Sequence, residues 1–274
     1  MIIDSHHHFW NYTPAEYGWI DDAMAAIRRD FLPADLGREM AAAGVDGVVS
    51  VQARQSVEET RWLLDLAARH EFIRGVVGWV PLTAPDVREM LEELAGSPRL
   101  KAVRHVLQGE ADDYMLRGDF NAGIRALRPL NLAYDILIVE RQLPSAIRLV
   151  DQHPEQVFIL DHIAKPRIRD GAIEPWAAHM RELARRPNVF CKLSGMVTEA
   201  DYGAWTPQRL RPYMDIALDA FGPTRLMFGS DWPVCLVACD YARWVRIVRD
   251  MTSGLSPAER QRVMAQTAIE AYRL

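Results

Sequence analysis

Met1-Ile2-Ile3-Asp4-Ser5-His6-His7-His8 opens the chain as a short apolar run that passes straight into Asp-x-His-x-His. Side chains alternate along a strand, so His6 and His8 share one face and His7 takes the other. Two imidazoles about 7 Å apart along one strand, at a rise near 3.3 Å per residue, can grip one metal ion or one substrate oxygen. Ionisable groups are costly at the end of an apolar strand unless they are paired or functional. The same arrangement, an apolar run that ends in polar groups, recurs down the chain.

The further runs are Val45 to Ala53, Ile73 to Leu82, Leu100 to Leu107, Ala133 to Glu140, Val157 to Ala164, Val189 to Gly195 and Leu226 to Ser230. Each is short and almost wholly apolar, as parallel strands buried on both faces should be. Helical patterns lie between them. One begins near Pro33, and the others cover Val57 to His70, Pro85 to Leu94, Asn121 to Leu127, Leu143 to Asp151, Trp176 to Arg185, Gln208 to Phe221 and Tyr241 to Met251. Ser56 and Glu59 have the spacing of a capping box, and Pro85, Pro144, Pro175 and Pro207 fall where a first helical turn tolerates a missing N–H. Eight strand–helix units of roughly 30 residues, with no long polar linker, predict an α/β fold: one closed (β/α)8 TIM barrel, a single domain over residues 1–274. An open doubly wound sheet fits less well, because no G-x-G-x-x-G follows the first strand. A final helix, Pro257 to Tyr272, begins at the Ser256 cap and is expected across the outside or base of the barrel.

Composition narrows the function classes. With 49% hydrophobic and 25% charged residues among 274, the chain can bury a large core. A net charge of −5 argues against nucleic acid as a partner. No apolar run approaches the roughly 18 residues of a membrane span, and the N-terminus lacks the basic and apolar regions of a secretory signal. Cys191, Cys235 and Cys239 are too few for a disulfide framework and read as buried or loop thiols. A cytoplasmic protein is expected.

In a (β/α)8 barrel the reactive groups sit at the C-terminal ends of the strands. Reading only those ends collects His6 and His8, then Arg104-His105, then Asp161-His162-Ile163-Ala164-Lys165-Pro166, then Cys191-Lys192-Leu193-Ser194-Gly195, and finally Gly229-Ser230-Asp231-Trp232-Pro233. Asp231 follows a run of apolar or small residues and reads as catalytic rather than as a turn cap. His162, beside Asp161 and Lys165, reads as a site residue. Alternation sends Arg104 and His105 to opposite sides; Arg104 is the better candidate for an oxyanion or hydroxyl contact, because a guanidinium offers a rigid fork of donors. Lys192 can equally well cap the barrel's interior layer. Of the tryptophans near strand ends, Trp10, Trp19, Trp79 and Trp232, only Trp10 and Trp232 adjoin the His pair and Asp231, and these are expected to stack on a ligand's apolar face. His105, Lys165, Trp10 and Trp232 form the expected substrate-binding set.

Asp4-Ser5-His6-His7-His8-Phe9-Trp10, Tyr17-Gly18-Trp19-Ile20, Val103-Arg104-His105, Leu160-Asp161-His162-Ile163-Ala164-Lys165-Pro166, Lys192-Leu193-Ser194-Gly195 and Gly229-Ser230-Asp231-Trp232-Pro233 together resemble the amidohydrolase superfamily, and within it the sugar-lactonase group. The resemblance runs from residue 1 to about 272 and lies in motif order more than in any one motif, since a lone His-x-His is weak. It implies that Asp231 is the general base for the attacking water. It also implies that His6, His8 and His162 line the site, polarising a lactone carbonyl or holding a metal, and that Arg104 binds substrate oxygens. The implied metal set is His6, His8 and Asp231. The two-metal members carry a bridging lysine at the end of the fourth strand, where this chain has Arg104-His105, so at most one divalent ion, a zinc that is weakly held or dispensable, is implied. The implied reaction is hydrolysis of an aldono-1,4- or 1,5-lactone, a small-molecule substrate, with L-fuconolactone or a close stereoisomer expected. Two alternatives stand beside it. One is a decarboxylase of a small aromatic acid in the same superfamily, which needs its ion; the other is a non-catalytic sugar-acid-binding barrel, against which the joint presence of His6, His8, His162 and Asp231 argues.

Overall fold

All eight apolar runs form strands, and each pairs in parallel with the next, in the order β1 to β8. The computed structural model describes residues 1–274. The strands are β1 Ile3–His7, β2 Gly47–Val51, β3 Ile73–Gly78, β4 Leu100–Val106, β5 Ala133–Leu137, β6 Phe158–Leu160, β7 Val189–Leu193 and β8 Leu226–Phe228. The helices that cover them are α1 Pro33–Ala43, α2 Val57–Arg69, α3 Val87–Leu94, α4 Gly118–Leu127, α5 Leu143–Gln152, α6 Trp176–Leu183, α7 Pro207–Phe221 and α8 Tyr241–Met251. This is the (β/α)8 barrel expected. Every strand ends short of its apolar run. The clearest case is β6, which stops at Leu160 and hands over to a turn at Asp161–Ala164.

The ring closes between β1 and the segment that follows β8. The Asp231 amide donates to the His6 carbonyl (2.8 Å) and the His8 amide to the Trp232 carbonyl (2.6 Å). Asp4 ties the same seam from behind, accepting from the Ser230 amide (2.8 Å), the Ser230 hydroxyl (2.6 Å) and the Tyr241 hydroxyl (3.1 Å). Burial pushes the Asp4 carboxyl up to about 6 even against those donors.

Inside the barrel the side chains sort by height. Ile3, Val49, Val77, Ala102, Ala133, Ile159 and Met227 fill an apolar lower layer. Two residues further along their strands, Arg104, Asp135 and Asp161 point the same way, as period-2 alternation requires, and are buried with Lys192. In β1 the register shifts between Asp4 and His7. That irregularity lets Ile3 sit in the lower layer while His6 and His8 still face the upper one.

The last segment decides between the two expected positions for the final helix: it seals the base. It is not one helix. Pro257–Gln261 and Thr267–Tyr272 (α9 and α10) flank a π-helical turn over Arg262–Gln266. Ala265, Ala268, Ala271 and Tyr272 pack directly under the apolar layer, where small side chains allow the backbone to lie close. The Tyr272 hydroxyl reaches up to donate to Asp135 Oδ2 (2.6 Å). No helix is long and apolar enough to cross a membrane, and Cys191, Cys235 and Cys239 are buried free thiols.

The tight base makes overpacking costly. Ala268→Leu is expected to lose about 1–3 kcal/mol of stability, seen as a melting temperature several degrees below that of the wild type in a thermal-unfolding scan.

Candidate active site

Barrel closure brings Asp231 against the His-x-His of β1. His6 Nε2 and His8 Nε2 lie 3.2 Å apart, and Asp231 Oδ1 is 3.4 Å from His8 Nε2, 3.8 Å from His6 Nε2 and 3.9 Å from His162 Nε2. His8 Nδ1–H donates to the Val51 carbonyl (2.8 Å), an assignment read from the network, which leaves the His8 Nε2 lone pair facing the cluster. His162 Nδ1 is engaged by the Ser194 hydroxyl (2.8 Å). Burial pushes the His162 imidazole down to about 4, and burial together with Lys192 pulls His6 well below its ordinary value, so both are neutral near pH 7. Burial alone would raise Asp231, but His162 and His8 outweigh it and the carboxyl is held below the usual range.

Beneath this cluster lies a buried ionic network. Asp161 accepts from Arg104 Nη1 at 2.9 Å and faces Lys192 Nζ at 2.8 Å. Lys192 also donates to Asp135 (2.6 Å) and lies 3.1 Å from His6 Nδ1. Arg104 is further clamped by Gln52, whose backbone and side-chain oxygens take Nη2 and Nε. Burial raises Asp161, but Lys192, His6 and Arg104 together hold its carboxyl well below the ordinary carboxylate range. Asp135 remains raised, to about 6, because burial outweighs Lys192.

Two unusual backbone segments place the upper groups. His162, Ile163, Ala164 and Lys165 all have positive φ (53°, 46°, 61° and 48°). With the Lys165 amide bonded to the His162 carbonyl (2.8 Å) they form a left-handed 3₁₀ turn. Left-handed geometry costs about 1–2 kcal/mol per L-residue, so the surroundings must enforce it: Ile163 and Ala164 are fully buried, and the Trp176 indole N–H donates to the Ile163 carbonyl (2.7 Å). Gly195, at φ 63°, completes the fit, since a Cβ there would lie 2.6 Å from the His162 ring. Asp231 itself sits at φ 58°.

These groups open into a cavity of about 510 Å³ lined by His8, Arg104, His162, Lys165 and Asp231, with Glu16, Trp19, Met24, Arg54, Glu199 and Tyr202 around them. That volume suits a small ligand. A larger groove of about 690 Å³ beside Arg128, Glu155 and Arg273 contains none of the strand-end groups, so the smaller one is the candidate site.

The structure therefore brings His6, His8, Arg104, His162, Lys165 and Asp231 together, and it corrects three expected substrate contacts. Trp10 and Trp232 are fully buried. They pack with Phe31 (5.6 and 5.1 Å between ring centroids) behind the histidines and Asp231 rather than in front of them. His105 points outward, as alternation requires of a neighbour of Arg104, and lies between Trp79, Tyr114 and Glu110. The tryptophan that does line the cavity is Trp19, which is 46% exposed. Sequence reading missed Asp135, although a carboxylate inside an apolar strand is itself a signal. It also missed Glu199 and Arg54, which lie in loops and carry no pattern.

A single divalent ion needs its protein donors at spacings fixed by its coordination geometry. Zinc–ligand distances of 2.0–2.2 Å in tetrahedral geometry put donor atoms about 3.4 Å apart, and the His6, His8 and Asp231 donors are separated by 3.2, 3.4 and 3.8 Å. The set fits one ion. A second cluster, His6–Asp161–His162, does not, because Arg104 and Lys192 already occupy both Asp161 oxygens.

Fold and site thus define a (β/α)8 barrel with a His-x-His, a sixth-strand histidine and a late aspartate around one mouth. The sequence profile of the amidohydrolase family matches residues 3–274, and the chain belongs to that family. It is 43% identical to the L-fucono-1,5-lactonase of Burkholderia multivorans, over 100% of this chain and 96% of that protein. It is 39% identical to the L-fucono-1,5-lactonase of Burkholderia ambifaria, over 99% of this chain and 95% of that one. An amidohydrolase from Burkholderia multivorans, solved once with bound HEPES and once with bound zinc, superposes with a TM-score of 0.96 at 42% identity, covering 100% of this chain and 99% of that one.

Glu59 links the site to its support. Ser56 caps α2 as expected, but Glu59 does not close the capping box. Its Oε2 instead accepts from the Ala53 and Arg54 amides (2.9 and 2.7 Å), holding the loop that carries Arg54 into the cavity. Burial raises Glu59 from 4.5 to about 7. A raised carboxyl means that the folded chain keeps a proton the unfolded chain has lost. The contribution of Glu59 to stability is therefore whole below pH 4.5 and disappears as pH rises through 7. Glu59→Gln should remove that dependence, so wild type and variant diverge in denaturant-melt stability by up to about 3 kcal/mol between pH 4.5 and 8.

Proposed function

We propose that this chain hydrolyses L-fucono-1,5-lactone to the open sugar acid, with Asp231 as the general base. The observation that carries the reading is the Asp231 carboxylate, held ionised and within 4 Å of three imidazole nitrogens at the mouth of a barrel. The full-length similarity to two L-fucono-1,5-lactonases supports the substrate.

A lactone is a cyclic ester whose hydrolysis passes through a tetrahedral oxyanion. Asp231 accepts a proton from water as the water's oxygen bonds to the carbonyl carbon. The His162 Nε2–H is the donor that faces the developing negative charge, and the Arg104 guanidinium, whose N–H groups are held by Asp161, His6 and Gln52, adds its positive charge from the cavity wall. When the tetrahedral species collapses, the ring C–O bond breaks and the leaving oxygen takes up a proton, which Asp231 can return. Lys192 and Asp161 do not meet the substrate; they hold His6 and Arg104 in place. A zinc ion on His6, His8 and Asp231 would supply Lewis-acid polarisation of the carbonyl when bound. Arg104 lies against His6 Nε2 (3.3 Å), so an ion on that nitrogen would have to displace the guanidinium contact and would be held loosely.

Asp231→Asn should cut kcat/KM for L-fucono-1,5-lactone on the order of 10³-fold or more, measured with a pH indicator that follows acid release. After exhaustive chelation, with metal content measured on the same sample, turnover of the lactone should survive. Complete loss of turnover, restored by zinc, would make the ion essential, as a decarboxylase of this superfamily requires.

A further inference from the structure

Lys165 and Glu199 line the same cavity as His162 and Asp231, yet each makes its one ion pair with the other, Nζ to Oε1 at 3.7 Å. That separation exceeds a hydrogen bond, so the ammonium keeps its N–H donors and the carboxylate its lone pairs free. Neither is an ordinary solvated surface charge, since their side chains are only 21% and 26% exposed.

Both are held in place from behind. Residues i and i+3 eclipse in a 3₁₀ turn, so the left-handed turn stands Lys165 over His162, while Ile163 and Ala164 anchor the opposite side in the core. Glu199 lies in the loop after β7. Its carbonyl accepts from the Arg169 amide (3.0 Å), and the next carbonyl, that of Ala200, accepts from Arg169 Nη2 (3.4 Å). Two charges with spare hydrogen-bonding capacity are thus fixed on the wall of a reaction site.

The spacing suits one chemical group. An oxygen about 2.8 Å from each atom closes a triangle on the 3.7 Å base, accepting from the ammonium and donating to the carboxylate. A hydroxyl can do both; an ether oxygen or a methyl group cannot. We propose that Lys165 and Glu199 form a subsite that reads one ring hydroxyl of the substrate, and so set a preference for polyhydroxylated lactones over unsubstituted ones. The inference rests on the lactonase reading above and extends it to a residue pair that determines specificity.

The test compares kcat/KM for L-fucono-1,5-lactone with that for δ-valerolactone, which has the same ring and no hydroxyls, in the wild type, Glu199→Gln and Lys165→Met. Thermal melts verify that each variant is folded. A site built to bond a hydroxyl rejects an analogue lacking it by a large factor. Removing one partner is therefore expected to lower the sugar-to-unsubstituted preference on the order of 10²-fold, while Lys165→Arg, which keeps the charge, retains most of it. An unchanged preference in folded variants overturns the proposal, whatever the absolute rates. If δ-valerolactone turns over too slowly to measure, the same ratio is read from inhibition by the two ring-opened acids. A wild-type protein that opens neither lactone, and binds neither acid, overturns the lactonase reading instead.

Discussion

Barrel closure is the constraint on which the rest of this structure depends. Two backbone hydrogen bonds, Asp231 to His6 and His8 to Trp232, join the first strand to the segment after the last. They place a carboxylate and two imidazoles within 4 Å of each other. No local interaction could do this, because the groups come from opposite ends of the sequence. β8 itself does not pair with β1, so the bonds that close the ring are the same bonds that assemble the chemistry. Asp4 secures them at the cost of burying a carboxylate whose charge burial disfavours.

The interior is layered so that charge never sits alone in a low-dielectric core. Alanines of the last helical segment, Ala265, Ala268 and Ala271, and the apolar ring above them form the lowest layer. Next come two carboxylates, Asp135 and Asp161, matched by two cations, Arg104 and Lys192. The reacting layer stands on that neutral platform. An unpaired charge at that depth would be neutralised or would unfold the barrel; paired, the platform gives His6 and Arg104 fixed positions and fixed fields. Tyr272, near the end of the chain, donates to the same platform, so the base plug and the active layer belong to one hydrogen-bonded structure.

Strain is concentrated where function needs direction. Four successive left-handed residues at His162–Lys165 and a fifth at Asp231 would be unstable in isolation. They persist because buried Ile163 and Ala164, Trp176 and the bare backbone of Gly195 leave no other arrangement. The result aims His162 and Lys165 into one cavity from a strand that has already ended, which an ordinary strand or helix at that point could not do.

Much of this was legible in the sequence. Local rules, period-2 alternation and apolar runs bounded by helical patterns, are enough to specify eight parallel strands and a barrel, and they separate Arg104 from His105 correctly. They also mark His6, His8, His162 and Asp231, because a polar group at the end of a buried strand stands out against its neighbours. What only the tertiary structure decided are the relations between segments. Trp10 and Trp232 adjoin site residues in sequence yet pack behind them, while Trp19, which has no site residue beside it in sequence, and Glu199, in a loop, face the cavity. Asp135 and Lys192 acquire meaning only when β5 and β7 converge on the barrel axis. The physical reason is that a sequence pattern reports which way a side chain points from its own strand, whereas what it meets there depends on the closure of the whole ring.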